Sequence, residues 1–234
     1  MLNPKKKITK KEIKQDGLIT AYAQATTFYY ENKKYLSYGI TAIVVIVIFS
    51  LIYINNKRAN NEKAAAEFSK VFSIYDKGAT DAKQYKTAID GEPEHGIMGL
   101  NSIVENYGST QAGEFARFYL ASAYYHLGQY DDALKNFDSF SSSSNFLTAS
   151  ALAGLGNCYE VKGEYGKAAS YYEKAANTVS DPTDTPDYLN LAARCYGLSG
   201  DKSKAVALFK RLKKDFPAST FAREADRYIA QFSA

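Results

Sequence analysis

Two histidines, two cysteines and a run of serines are the residues whose types could do chemistry in this 234-residue chain. A metal site needs ligands gathered at short, regular spacings. His95 and His126 stand apart and neither falls in such a pattern. Gly154-Leu155-Gly156 is not followed by the Gly-Lys-Ser/Thr that would cradle a phosphate. Ser141 to Ser144 lack the glycine-flanked elbow that presents a serine nucleophile. Cys158 and Cys195 would invite a disulfide in an oxidising compartment. No catalytic constellation emerges, so the reading is a non-enzyme with no cofactor, no metal and no small-molecule substrate.

The elements that carry these residues are short amphipathic helices. In Ala151 to Ala175, Leu152, Leu155, Gly156 and Tyr159 fall on one helical face. Gly163 ends that helix, because glycine enters the left-handed region without penalty. Ala168, Tyr172 and Ala175 mark one face of a second helix. Gly156 and Ala168 are small where the two helices must approach. The pattern recurs: 35 residues earlier stand Leu120, Ala121, Tyr124, Gly128, Tyr130, Ala133 and Phe137. Another 37 residues on stand Ala192, Ala193, Tyr196, Gly200, Ala205, Phe209 and Leu212, closing with Pro217.

This motif resembles the tetratricopeptide repeat (TPR), a helical hairpin recurring every 34 residues or so. One hairpin cannot bury its own apolar face, so the repetition predicts an all-α solenoid. The repeat register then argues against a disulfide. Cys158 and Cys195 occupy the same repeat position, and equivalent helices of stacked repeats lie about 8–10 Å apart, too far for the bridge. Two small buried thiols are expected. The resemblance also implies a binding groove lined by the first helix of each repeat. Mapped onto this chain, it selects Phe118, Ser122 and Tyr125, then Ala153, Asn157 and Glu160, then Asn190 and Arg194. Asn157, Asn190 and Arg194 can hydrogen-bond a peptide; Phe118 and Tyr125 can anchor apolar groups. The alternative is an ordinary solvated helix face. The lysine-type positions of carboxylate-clamping TPR domains hold Phe118, Ala153 and Asn190, which disfavours capture of an acidic C-terminal tail.

Charge is unevenly spread. Residues 1–34 hold eight lysines against three acids, while residues 60–234 carry 19 basic and 22 acidic residues, a net −3 that disfavours nucleic acid as a partner. Between Lys34 and Lys57 lie 22 residues without a charge, about 33 Å as a helix, matching a bilayer core. Tyr35, Tyr38 and Tyr53 sit near its ends, where aromatic belts form. Asn55-Asn56-Lys57 offers no signal-peptide cleavage site, so residues 35–56 read as an uncleaved transmembrane anchor. The lysine-rich tail favours a cytoplasmic N-terminus, although Lys57, Arg58, Lys63 and Lys70 against Lys33 and Lys34 give a local count pointing the other way. Leu18, Tyr22, Ala25 and Tyr29 suggest either an interfacial helix or the start of the spanning helix.

The expected order is a tail with a possible interfacial helix (1–34), the transmembrane helix (35–56), a linker helix and degenerate first repeat (57–111), three repeats (112–216) and a capping helix (217–234). Ala66, Phe68, Val71, Phe72 and Tyr75 predict a helix to Lys77-Gly78, Ala79 to His95 an irregular insertion, and Ile97 to Tyr107 another helix. A lysine-bearing tail, one apolar span approached by Tyr30-Glu31-Asn32-Lys33-Lys34 and a TPR array resemble the YfgM-type family. Its type member is an ancillary subunit of the bacterial Sec translocon. The resemblance implies an inner-membrane protein with a periplasmic TPR domain, a scaffold or chaperone adaptor whose partners are the secretion machinery, periplasmic chaperones or their clients. A permanent structural subunit of a larger membrane complex is the other reading.

Overall fold

The computed structural model describes residues 10–233; the first nine residues of the lysine-rich tail and Ala234 lie outside the described residues. The chain divides into two units, 1–56 and 57–234. Ten α-helices, one short 3-10 turn and one small antiparallel pair are the regular elements of the described residues.

In the first unit the backbone forms part of one long helix, α1 (Lys10–Lys77). No break separates the Tyr22–Tyr29 stretch from the apolar run; both belong to the same helix. Ile40, Ile43, Ile46, Phe49 and Ile54 are exposed. An aliphatic helix bare on every side has no core of its own to enter. It is long and apolar enough to cross a membrane and is a candidate span.

The second unit continues with α2 (Lys83–Asp90), β1 (Gly91–Glu92), β2 (Ile97–Met98) and α3 (Leu100–Tyr107). Four hairpin helices follow as α4 (Gln111–His126), α5 (Tyr130–Asp138), α6 (Asn145–Val161) and α7 (Tyr165–Thr178). The chain closes with α8 (Asp184–Leu198), α9 (Lys202–Asp215) and α10 (Thr220–Ser233). From α3 onward each helix packs chiefly on its neighbours in sequence, as stacked hairpins must. The expected irregular stretch at 79–95 is corrected: it contains α2, whose Tyr85, Ala88 and Ile89 are buried. It also contains β1, which pairs with β2 through Gly91 to Met98 and Glu92 to Ile97. Ile97 therefore lies in a strand and the next helix starts only at Leu100. An eight-residue helix offers barely two turns of periodicity, too little to stand out from a polar stretch.

Three turns repeat in detail. Gly128, Gly163 and Gly200 have φ of 74, 74 and 91°. The following residues, Gln129, Glu164 and Asp201, each donate a backbone bond of 2.9 Å to the carbonyls of Tyr124, Tyr159 and Tyr196. The bond satisfies a helix-end carbonyl that would otherwise be orphaned. Between helices, large rings press on small residues. The position a Cβ would take on Gly154 is 2.6 Å from the Phe137 ring, and on Gly156 is 2.7 Å from the Tyr172 ring. Tyr172, Ala168 and Phe209 are fully buried. At the C-terminal end, α10 covers α9 by stacking Tyr228 on Phe209 at 5.0 Å between centroids.

Candidate functional site

The first helices of successive hairpins adjoin one another. Asn61 Oδ1 of α1 accepts from the Ala112 N–H at 2.8 Å, capping the start of α4. Seven residues on in both helices, Phe68 meets Tyr119 at 5.4 Å between centroids. The last turns of α1 and α4 therefore run parallel. Farther along, Glu160 of α6 lies close enough to the Cys195 thiol of α8 to help raise its pKa, and Ser150 of α6 lies beside the Tyr188 hydroxyl of α8.

On this wall Phe72 and Tyr75 meet the Tyr119 ring edge-on at 5.1 and 5.0 Å. Phe118 joins Tyr119 and reaches Phe140. Phe68, Phe72, Tyr75, Phe118 and Tyr119 are each half-buried, so every ring keeps some open surface. Rings held by other rings lose little side-chain freedom when a ligand arrives, which suits them to anchor apolar groups. Burial pushes the Tyr75 hydroxyl up to about 12, so it stays neutral. Phe68, Phe72, Tyr75 and Tyr119 were not among the residues selected from the sequence. The i, i+4, i+7 spacing of the first three was visible, but they meet α4 at an offset of 51 residues, which no 34-residue register reveals.

Of the eight selected residues, Ala153 is buried, and the other seven differ in how open they are. Phe118 belongs to the aromatic wall. The Ser122 hydroxyl donates to the Phe118 carbonyl and lies beside Tyr75. Tyr125 is half-buried, contacts Tyr130 and His126, and has its hydroxyl raised by desolvation. Asn157 and Glu160 are engaged inside the protein: the buried Tyr172 hydroxyl lies 2.6 Å from Asn157 Oδ1 and 2.7 Å from Glu160 Oε2. One hydroxyl proton serves one acceptor; the carboxylate is the stronger, and the Asn157 amide, turned over, donates its NH2 to the phenol oxygen. Asn190 is only 7 % exposed, which leaves its amide little surface for a peptide. Arg194 is exposed and sits close enough to Asp187 to counter the rise that desolvation and Asp184 impose on that carboxyl.

The chemistry these groups can do is recognition. Cys158 and Cys195 are free and fully buried, with burial pushing their thiols to about 11 and about 12, so neither is a thiolate at neutral pH. The two cysteines are unbridged, as the repeat register requires. His126 lies flat on Tyr85 at 4.7 Å, and desolvation lowers its pKa. Among the described residues no group of three or more His, Cys, Asp or Glu side chains is gathered as metal ligands would be. A cleft of about 400 Å³ lies between the α3–α4 and α5–α6 connections, lined by Thr110, Glu114, Phe115, Phe140, Ser142 and Leu147; the Phe140 ring meets Phe118 of the aromatic wall.

Residues 118–185 match one tetratricopeptide repeat family model, and residues 188–219 match another. The chain thus carries TPR repeats; α1 to α3 lie outside the matched segments. Among solved structures it is similar to a Podosopora anserina protein of kinesin light chain type, built from nearly identical TPR-like repeats, and to a variant of that protein with one substitution. Both show 15% identity and a TM-score of 0.53, over 70% of this chain and, for the protein and its variant in turn, 86% and 85% of theirs. At that identity the likeness speaks for the fold. No curated protein sequence matches the chain. The fold is a TPR-like solenoid, an architecture that typically serves as a non-catalytic scaffold for protein–protein interaction.

Proposed function

We propose that this protein is a membrane-anchored TPR scaffold that holds partner proteins against the wall formed by the last turns of α1 and by α4, α6 and α8. The observation that carries the reading is the half-open aromatic row Phe68, Phe72, Tyr75, Tyr119 and Phe118; Tyr125 stands farther along α4 and the exposed Arg194 on α8. A partner of matching chemistry is an extended segment with apolar side chains toward α1 and an acidic or amide group toward Arg194. We read residues 35–56 as a single span of the bacterial inner membrane, with the N-terminus cytoplasmic and the array periplasmic. Residues 57–111 act as a degenerate first repeat, and the segment from 217 as the cap. The YfgM-type resemblance supports a place beside the Sec translocon and periplasmic chaperones. We assign no catalytic role, no cofactor and no nucleic-acid partner.

A transient adaptor and a permanent subunit differ in exchange. The full chain, tagged and purified in mild detergent, releases its partners within a dilution chase if it is an adaptor. Tyr125→Ser with Arg194→Ala then reduces the bound fraction at unchanged helicity. Unchanged partner recovery from that variant would move the site off this wall.

A further inference from the structure

The two C-terminal helices carry a charge imbalance with a definite geometry. Residues 200–234 contain eight Lys and Arg and four Asp and Glu, whereas residues 60–199 contain 11 basic and 18 acidic residues. All four acids of the C-terminal hairpin are already in ion pairs: Asp201 with Lys204, Asp215 with Arg211, Glu224 with Arg227 and Asp226 with Lys213. Four cations remain: Lys202, Lys210, Lys214 and Arg223. All four are exposed, and no carboxylate of the described residues pairs with any of them.

Two of the four, Lys210 and Lys214, share the outer face of α9. Buried Ala205, Leu208, Phe209 and Leu212 define its inner face. At roughly 100° per residue, Lys210 and Lys214 lie about 40° apart on the side opposite this inner face, while Lys202, about 80° from Lys210, sits at the edge of the inner face. Exposed Ser203 and Ala207 each lie about 20° from Lys214 around the helix. Small residues beside these two lysines leave their stems free to reach a flat surface together. Arg223 adds an exposed, unpaired cation in the first turn of α10.

We propose that this α9–α10 face docks on the anionic headgroups of a lipid bilayer. The inference rests on the reading of residues 35–56 as a membrane span. A domain tethered to a bilayer meets lipid at high effective concentration, so cations too few to bind vesicles alone suffice in the tethered chain. Each cation near an anionic surface changes the docked-to-free ratio roughly fivefold.

The test uses the full chain in lipid nanodiscs made with or without phosphatidylglycerol. Ala207→Cys carries a donor dye, because Cys158 and Cys195 are buried with raised thiol pKa values. The acceptor is a headgroup-labelled lipid. Energy transfer is expected to be higher in anionic than in neutral discs. Lys210→Ala with Lys214→Ala should lower the docked-to-free ratio roughly 25-fold, and molar salt should abolish the difference. Equal transfer in both discs overturns the proposal. So does an excess that survives the lysine substitutions; if those substitutions instead break up a dimer, the face belongs to a second copy. A chain that stays out of the discs refutes the anchor itself, and elution without lipid distinguishes that outcome.

Discussion

Gly156→Leu is the sharpest perturbation of the packing. A Cβ on Gly156 would sit 2.7 Å from Cδ1 and Cε1 of Tyr172 and 3.0 Å from its Cζ. Carbon atoms rest at about 3.5–4.0 Å, so the first added atom alone needs a shift of roughly 0.8–1.3 Å. The Tyr172 ring is fully buried and its hydroxyl is held at Asn157 and Glu160, so it has nowhere to swing. Overpacking of this kind costs about 3 kcal/mol, offset by just under ~1 kcal/mol of helix propensity gained on leaving glycine. The net loss of about 2 kcal/mol lowers the midpoint of a domain this size by roughly 4–8 °C. Gly166 supplies the control within the same repeat. It is helical and exposed, and only Ser199 Cβ, at 3.8 Å, lies near its added Cβ, so Gly166→Leu should hold or raise the midpoint. Thermal melts followed by circular dichroism at 222 nm read both. Equal midpoints for the two variants would refute the packing argument.

Asp187→Asn should raise stability at neutral pH. Desolvation and Asp184 raise the Asp187 carboxyl despite Arg194, so the folded state holds its ionised form less well than the unfolded state does. That penalty is complete above the folded pKa and fades as pH falls to the unfolded value. The advantage of Asp187→Asn in urea melts should therefore vanish toward acid; an advantage that grows on acidification would contradict the sign. Neither cysteine should react with a maleimide at pH 7.5 until urea unfolds the chain, and oxidation should leave mobility on a non-reducing gel unchanged. Rapid labelling of the folded protein would place a thiol at the surface. External protease on spheroplasts should remove a tag fused after Ala234; protection until lysis would put the array in the cytoplasm.

The hairpin fold was legible because its signals recur. Gly128, Gly163 and Gly200 each mark a turn with positive φ, and the tyrosine four residues before each glycine supplies the carbonyl that closes it. Single, short elements were not legible: α2 and the β1–β2 pair appear once and have no register to reinforce them. The wall was partly visible. Phe118 and Tyr125 were found by repeat position, while their partners on α1 were not, since those contacts arise from a 51-residue offset. Repeat position also cannot say whether a polar residue is free. Asn157 and Glu160 face Tyr172, a residue chosen by this chain at a site where the neighbouring repeats carry Phe137 and Phe209.

The most direct measurement of the scaffold reading is site-specific photo-crosslinking in cells, with the probe placed singly at Phe72, Tyr125 and Arg194, and at Lys135 on the exposed side of α5. The account predicts that the three wall positions capture the same partner and that Lys135 does not. Adducts from Lys135 with none from the wall would contradict it.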